Sequence, residues 1–430
     1  MDRQVARLCQ FARGRSAQTI VDQIMVSGSN FVTGIILVRG LGLVEFGKFT
    51  VAYVILLLAN SIQLSFISSP MITLGSLCSN TEDRERFVRG VFGVQLIFCA
   101  IASAATVVAA TVYLEFKHDV DPVGFLFPFG AAVALFLMQD WLRRYYFTVG
   151  KAGASVWNDA VSYVGQVIVL LTLWMTHRLT INTAFWSIAI TSGLAFVMGT
   201  VFECLGCTRE QTSDAWRRTR GISIELGIAN QLQWLVYQGA MLIGAGIAGP
   251  QAAGGVRATQ NVIGPVNIAY QAMENIVPIR AAEEMRRGGI QRAGAFLFKF
   301  GSAGFVALLV IFSAASLMSG RFLAFFYGQQ LRLYAGVLNL QMLYFLLAWP
   351  IRQLTFLFRT VENTRPILIS SIVAAVISIS LVFPMVRGYG ALGIVMAAVA
   401  GQIGNLVYLI ASWSRVAAAA SAKEVSTQPS

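Results

Sequence analysis

Eight residues in one otherwise apolar stretch carry the most suggestive chemistry: Arg257, Gln260, Asn261, Gly264, Asn267, Gln271, Glu274 and Asn275. Steps of three and four keep them on one face of a helix. A guanidinium is always charged and offers paired donors, a carboxylate can pair with it or hold a cation, and amides donate and accept. On a greasy segment such a stripe either faces water and a polar ligand or bonds to polar groups of neighbouring helices. Similar stripes stand at Tyr53, Asn60, Gln63 and Pro70; at Asp22, Ser29, Asn30 and Thr33; and at Asn230, Trp234, Tyr237 and Gln238. The four stretches are each expected to present one wet face.

The elements that position these stripes follow from composition. Of 430 residues, 56% are hydrophobic and only 12% charged. A soluble domain carries about 25% charged residues. A chain of this size with half that charge cannot wet its own surface, which excludes an ordinary soluble enzyme and also disorder. Spanning the bilayer core takes about 20 apolar residues in a helix. Twelve segments qualify: 18–39, 49–70, 88–113, 123–147, 155–176, 182–205, 223–247, 256–278, 293–319, 333–358, 366–386 and 390–412. They are apolar throughout rather than alternating, so helices are expected and a β-barrel is not. The first segment is too long for the core of a cleaved signal. The predicted class is an all-α integral membrane protein of about twelve spans.

The net charge of +12 is not spread evenly. With the N-terminus inside, 24 of the 32 Lys and Arg fall on the inner side and 8 on the outer. This bias predicts that both termini are cytoplasmic. It also accounts for the basic pI without a nucleic-acid partner.

The halves repeat. Gly42-x4-Gly47 returns as Gly249-x4-Gly254, 207 residues on. Gln63-x6-Pro70 returns as Gln271-x6-Pro278, Asp22-Gln23 as Asn230-Gln231, and Trp141-x2-Arg144 as Trp349-x2-Arg352, each 208 residues on. The expected organisation is a six-helix lobe over 1–207, a basic cytoplasmic linker over 208–222, a second six-helix lobe over 223–412, and a cytoplasmic tail over 413–430. Six is even, so the halves are parallel repeats. Two like lobes suggest an alternating-access transporter.

The run Asp22-Gln-x6-Asn30-Phe leads into Leu37-Val-Arg39-Gly-Leu-Gly42-Leu-Val-Glu45-Phe-Gly47, and Gly388-Tyr-Gly-Ala-Leu-Gly393 opens the last span. These residues resemble the polysaccharide (O-antigen-type) flippases of the multidrug/oligosaccharidyl-lipid/polysaccharide exporter superfamily, over nearly the whole chain. The resemblance implies two six-helix lobes around a central cavity in the inner membrane of a bacterium. It implies transfer of an undecaprenyl-diphosphate-linked oligosaccharide from inner to outer leaflet, with membrane lipids, a coupling cation and polysaccharide polymerase machinery as candidate partners. On this view Arg39, Arg257, Asn60, Gln63, Asn261 and Gln271 bind substrate, the two arginines taking phosphate oxygens in paired hydrogen bonds. Asp22, Glu274, Arg144 and Arg352 gate or couple. Plainer roles compete with these: snorkelling to headgroups for Arg39 and Arg257, capping for Asp22 and Glu274. Asp140 stands four residues before Arg144, which favours a structural ion pair there. Asp159 reads as an interfacial anchor. The alternative function is an ion-coupled multidrug or cation antiporter of the same superfamily.

Other chemistries are disfavoured. Gly42-x4-Gly47-Lys48 imitates a phosphate loop but ends in Phe49, where a hydroxyl should hold magnesium. His118 and His177 lie in separate outer loops, against a histidine metal site. Cys204-x2-Cys207 lacks a second pair, and reduced thiols are expected for all five cysteines. No Gly-x-Ser-x-Gly occurs. Neither a catalytic residue nor a cofactor is therefore expected.

Overall fold

The computed structural model describes residues 15–78, 80–115, 122–203, 205–361 and 363–426. The described residues are almost wholly helical, and no strand occurs among them. Ten of their helices are long and apolar enough to cross a membrane. The seventh and eighth expected spans, 223–247 and 256–278, are helical but are not among those ten.

The chain forms two compact units, Met1–Gln231 and Leu232–Ser430. In the first, α1 spans Arg15–Leu41. α2 spans Leu43–Gln63 and continues through a π-helical turn, Leu64–Ser68, into Ser69–Leu77. α3 spans Thr81–Glu115 and α4 Pro122–Thr148. α5 spans Ala152–Asp159 and passes through a second π turn, Ala160–Val164, into Gly165–Met175. α6 spans Ile181–Glu203. α7 spans Arg209–Trp234, so most of the expected linker is helix.

α4 is the hub of this unit, packing most extensively on α6 and α3. Its Trp141 is fully buried, 5.1 Å from Phe92 of α3. Farther along α4, Phe129 meets Phe185 of α6 edge to face, and Phe185 meets Phe49 of α2 in a tilted pair. Aromatic burial of this kind holds helices where lipid gives no hydrophobic drive between them.

In the second unit a π turn, Leu235–Gly239, leads into Ala240–Ala248. α8 runs Pro250–Leu317 and breaks at Gly288 and Gly289, whose dihedrals leave the helical region. α9 is short, Ser319–Tyr327. α10 spans Ala335–Thr360, α11 Arg365–Tyr389 and α12 Ala391–Ser426. α11 and α12 make the most extensive helix pair in the molecule. A Cβ at Gly401 would lie 2.7 Å from the Ala374 carbonyl, so only glycine permits this approach. α10 packs on α8, where Trp349 donates its indole N–H to the Gly301 carbonyl at 2.8 Å.

The internal repeat has a backbone signature. Gly42 caps α2 with φ 80° and ψ 166°; Gly249 caps α8 with φ 85° and ψ 170°. Side chains are poorly tolerated there, which gives these two positions a physical reason to be glycine.

Candidate functional site

α4 carries Gln139, Asp140, Arg143 and Arg144 into the interior of the first unit. Arg143 is the centre: it is buried, and its guanidinium meets carboxylates from two other helices. Its Nη2 donates to Asp22 Oδ2 of α1. Its Nε lies 2.7 Å from Asp159 Oδ2 of α5, an ion pair whose N–H is not aimed for a hydrogen bond. Asp22 and Asp159 are both fully buried. Gln139 Nε2 donates to Asp159 Oδ1 at 2.8 Å and to Asn158 Oδ1 at 3.0 Å, and Asn158 donates on to the Ala195 carbonyl of α6 at 2.8 Å.

A second branch surrounds Asp140. Arg144 donates to it twice, through Nε at 3.0 Å and Nη2 at 3.3 Å. Gln63 of α2 donates to the same carboxylate at 3.5 Å and accepts from Gln95 of α3 at 3.3 Å. Asn60 adjoins Asp140, and Tyr163 adjoins Arg143 and Asp159. Gln63 and Asp159 each directly precede a π turn, in α2 and α5 respectively. Such turns are frequent at functional sites.

The charge count matters. Asp22, Asp140 and Asp159 face only Arg143 and Arg144 among the described ion pairs of this network. With all five ionised, one negative charge is left over. Taking ions out of water costs several kcal/mol apiece, offset only when partners and hydrogen bonds are complete. Asp22 Oδ1, Gln95 Oε1 and Gln139 Oε1 are buried with no hydrogen-bond donor on them. A proton or a small cation would neutralise the surplus.

The second unit has a different polar cluster. Arg257 of α8 is half-buried and donates to Gln260 at 3.3 Å. Tyr237 stands beside both, and Tyr327 beside Arg257 and Asn261. Arg352 of α10 lies over the Tyr270 ring, 4.6 Å from its centroid. Tyr270 in turn donates to the Phe345 carbonyl.

The sequence-predicted residues therefore separate. Asp22, Arg144, Gln63 and Asn60 come together in the network of the first unit; Arg257, Asn261 and Arg352 lie in the second. Arg39 is exposed at the end of α1. Gln271 and Glu274 belong to α8, but their side chains lie outside the described residues, as do Cys9, Cys204 and His118. Among the described residues no cluster of three His, Cys, Asp or Glu could hold a metal ion.

Three expectations are corrected. Asp159 is not an interfacial anchor but a fully buried partner of Arg143. Gln63, expected to line a wet cavity, is fully buried between α2, α3 and α4, because Asp140 and Gln95 bond it from both sides. Asp22 is no loop-facing cap; its partner is Arg143. Arg143 itself was missed as a site residue, since the two adjacent arginines drew attention to Arg144 with its i−4 acid. The missed signal is the pair of adjacent acceptors Asn158-Asp159 at the start of the next apolar run.

The fold is that of transporters of the MOP superfamily, as solved structures of low sequence identity show. A lipid II flippase, MurJ, in an inward closed conformation superposes with a TM-score of 0.69 at 12% identity, covering 93% of this chain and 87% of the flippase. An inward-facing multidrug resistance MATE family transporter gives 0.62 at 12%, covering 95% and 96%. A transporter of the superfamily from Pyrococcus furiosus, described as having a binding pocket of reverse polarity, gives 0.61 at 14%, covering 96% and 98%. No family model matches the sequence, and no curated protein matches it by sequence.

Proposed function

We propose that the protein is an alternating-access transporter that flips an undecaprenyl-diphosphate-linked oligosaccharide from the inner to the outer leaflet of a bacterial inner membrane. The observation that supports this most is a fold shared with a lipid II flippase over 93% of the chain. Arg257 and Arg39 are the proposed phosphate ligands, Asn60, Asn261 and Gln271 the polar contacts to the saccharide or its linkage. No catalytic residue is assigned. In this reading the substrate carries the specificity and the protein supplies a path.

Coupling is assigned to the network around Arg143. A proton taken up by Asp22 or Asp159 would loosen one ion pair and leave the other, so helices α1 and α5 would be held to α4 unequally in the two states. Glu274 and Arg352 are the proposed coupling and gating residues of the second unit.

A second reading is an ion-coupled multidrug or cation antiporter. The surplus buried acid of the first unit favours it, since a cation could occupy that place. Everted membrane vesicles separate the two. The flippase reading expects no acidification-driven uptake of a cationic dye above that of vesicles lacking the protein. Robust uptake abolished by Asp22→Asn and Asp159→Asn would favour the antiporter and count against the flippase.

A further inference from the structure

The half of α7 outside the apolar span forms a surface of its own. One side packs on the first unit. A Cβ at Gly90 of α3 would clash with the Gln211 carbonyl, and one at Gly93 with the Thr212 hydroxyl. Near its other end Ser223 Oγ donates to the Phe66 carbonyl of α2 at 2.7 Å. A Cβ at Gly227 would clash with the Phe66 ring. Phe66 is four residues before Pro70 at the close of the expected second span, and Gly90 and Gly93 stand near the opening of the third. Both anchors therefore sit at one level, close to the same membrane face.

On the α3 flank two ion pairs join the helices. Arg86 pairs with Glu210 at 3.5 Å and Arg218 with Asp83 at 3.3 Å. The opposite side differs. Trp216, Arg209, Arg220, Ser213, Ile224 and Arg217 fall within an arc of about 100° at 3.6 residues per turn. All six are exposed. Trp216 is 47% and Ile224 54% exposed. The arc contains no acid, and among the described residues no carboxylate pairs with Arg209, Arg217 or Arg220. Phe202, 78% exposed at the end of α6, adds apolar surface on the way into α7.

We propose that this face is a docking surface for anionic phospholipid headgroups of the inner leaflet. Trp216 and Ile224 would enter the boundary of the acyl region while the three guanidiniums take headgroup phosphates. Basic residues next to an anionic leaflet attract it, and each adds roughly fivefold to local partition. Glycine contacts clamp the same helix to α2 and α3, so lipid bound on the outer side would hold those helix ends in place. The inference needs only the inner-side assignment of α7, not the substrate.

The test uses the full chain reconstituted in phosphatidylcholine vesicles. The emission of Trp216 is isolated as the difference between wild type and Trp216→Phe. Brominated phosphatidylglycerol or brominated phosphatidylcholine is added at equal mole fraction. The expected result is at least about twofold stronger quenching by the anionic lipid at low salt, falling toward equality at high salt. R209Q/R217Q/R220Q should abolish the preference and the triple Lys variant should restore it. Absence of quenching by either lipid, equal quenching by both, or a preference unaltered by high salt would overturn the proposal. The salt arm needs no variant, so a misfolded glutamine variant would not shield it.

Discussion

Arg143 stands to the first unit as a nail to three boards: α1, α4 and α5 meet on its guanidinium. Removing one partner of a buried pair strands the other charge. Arg143→Ala should therefore destabilise the protein by about 3–5 kcal/mol. Arg143→Ala combined with Asp22→Asn and Asp159→Asn should recover much of that loss, because no stranded ion remains. Thermal unfolding in detergent measures both, and a singly substituted protein as stable as wild type would contradict the network. Arg257 gives a sharper functional test. A bidentate phosphate contact expects severe loss of transport with Arg257→Ala and partial loss with Arg257→Lys, since lysine keeps the charge and loses the planar fork. One charge-assisted hydrogen bond is worth roughly 1.5–3 kcal/mol, or about ten- to a hundredfold in affinity. A headgroup anchor expects Lys to equal Arg. Sequence showed the Asp140–Arg144 pair because the two are four apart on one helix. It did not show Asp22–Arg143–Asp159, whose members are brought together only by the packing of three helices.

That the apolar stretches are helices was the most legible part of the chain, because lipid leaves the backbone no other choice; their ends were not, since α7 takes in most of the expected linker and α8 covers two expected spans. The glycine caps at 42 and 249 were visible as a repeat and turned out to share one positive-φ conformation. The π turns were not visible: Leu64–Ser68 and Ala160–Val164 contain no residue that spells an extra backbone position. Nor does the break at Gly288-Gly289 alter the apolar pattern on either side. Close helix approach yields a direct test. Gly401→Leu should push α12 off α11, since even a Cβ would lie 2.7 Å from the Ala374 carbonyl. Gly388→Ala, which meets nothing within 4 Å, should leave stability within about 0.5 kcal/mol of wild type. Equal melting of the two variants would show that the α11–α12 contact does not depend on glycine.

Across the whole molecule the two halves are alike in backbone and unlike in charge. The residues 208 positions after Asp22, Asp140, Arg143 and Asp159 are Asn230, Ala348, Ile351 and Ile367. The ionic network around Arg143 thus has no counterpart at the repeat-related positions, which is why the proposed coupling is assigned to the first half. The orientation expected from the charge bias can be tested with a native thiol. Cys207 is exposed, whereas burial and the neighbouring Asp83 carboxylate push the Cys78 thiol up from its ordinary range. A variant keeping only Cys207 should react with an impermeant maleimide in everted vesicles and not in intact cells; the opposite pattern would reverse the topology. The central claim concerns the cargo. Purified protein in liposomes is given a fluorescently labelled undecaprenyl-diphosphate oligosaccharide, and an impermeant reductant bleaches the label exposed outside. The account expects the inner-leaflet label to become accessible with wild type and about ten- to a hundredfold more slowly with Arg257→Ala. Label that stays protected in the presence of folded wild-type protein, as it does in empty liposomes, would contradict it.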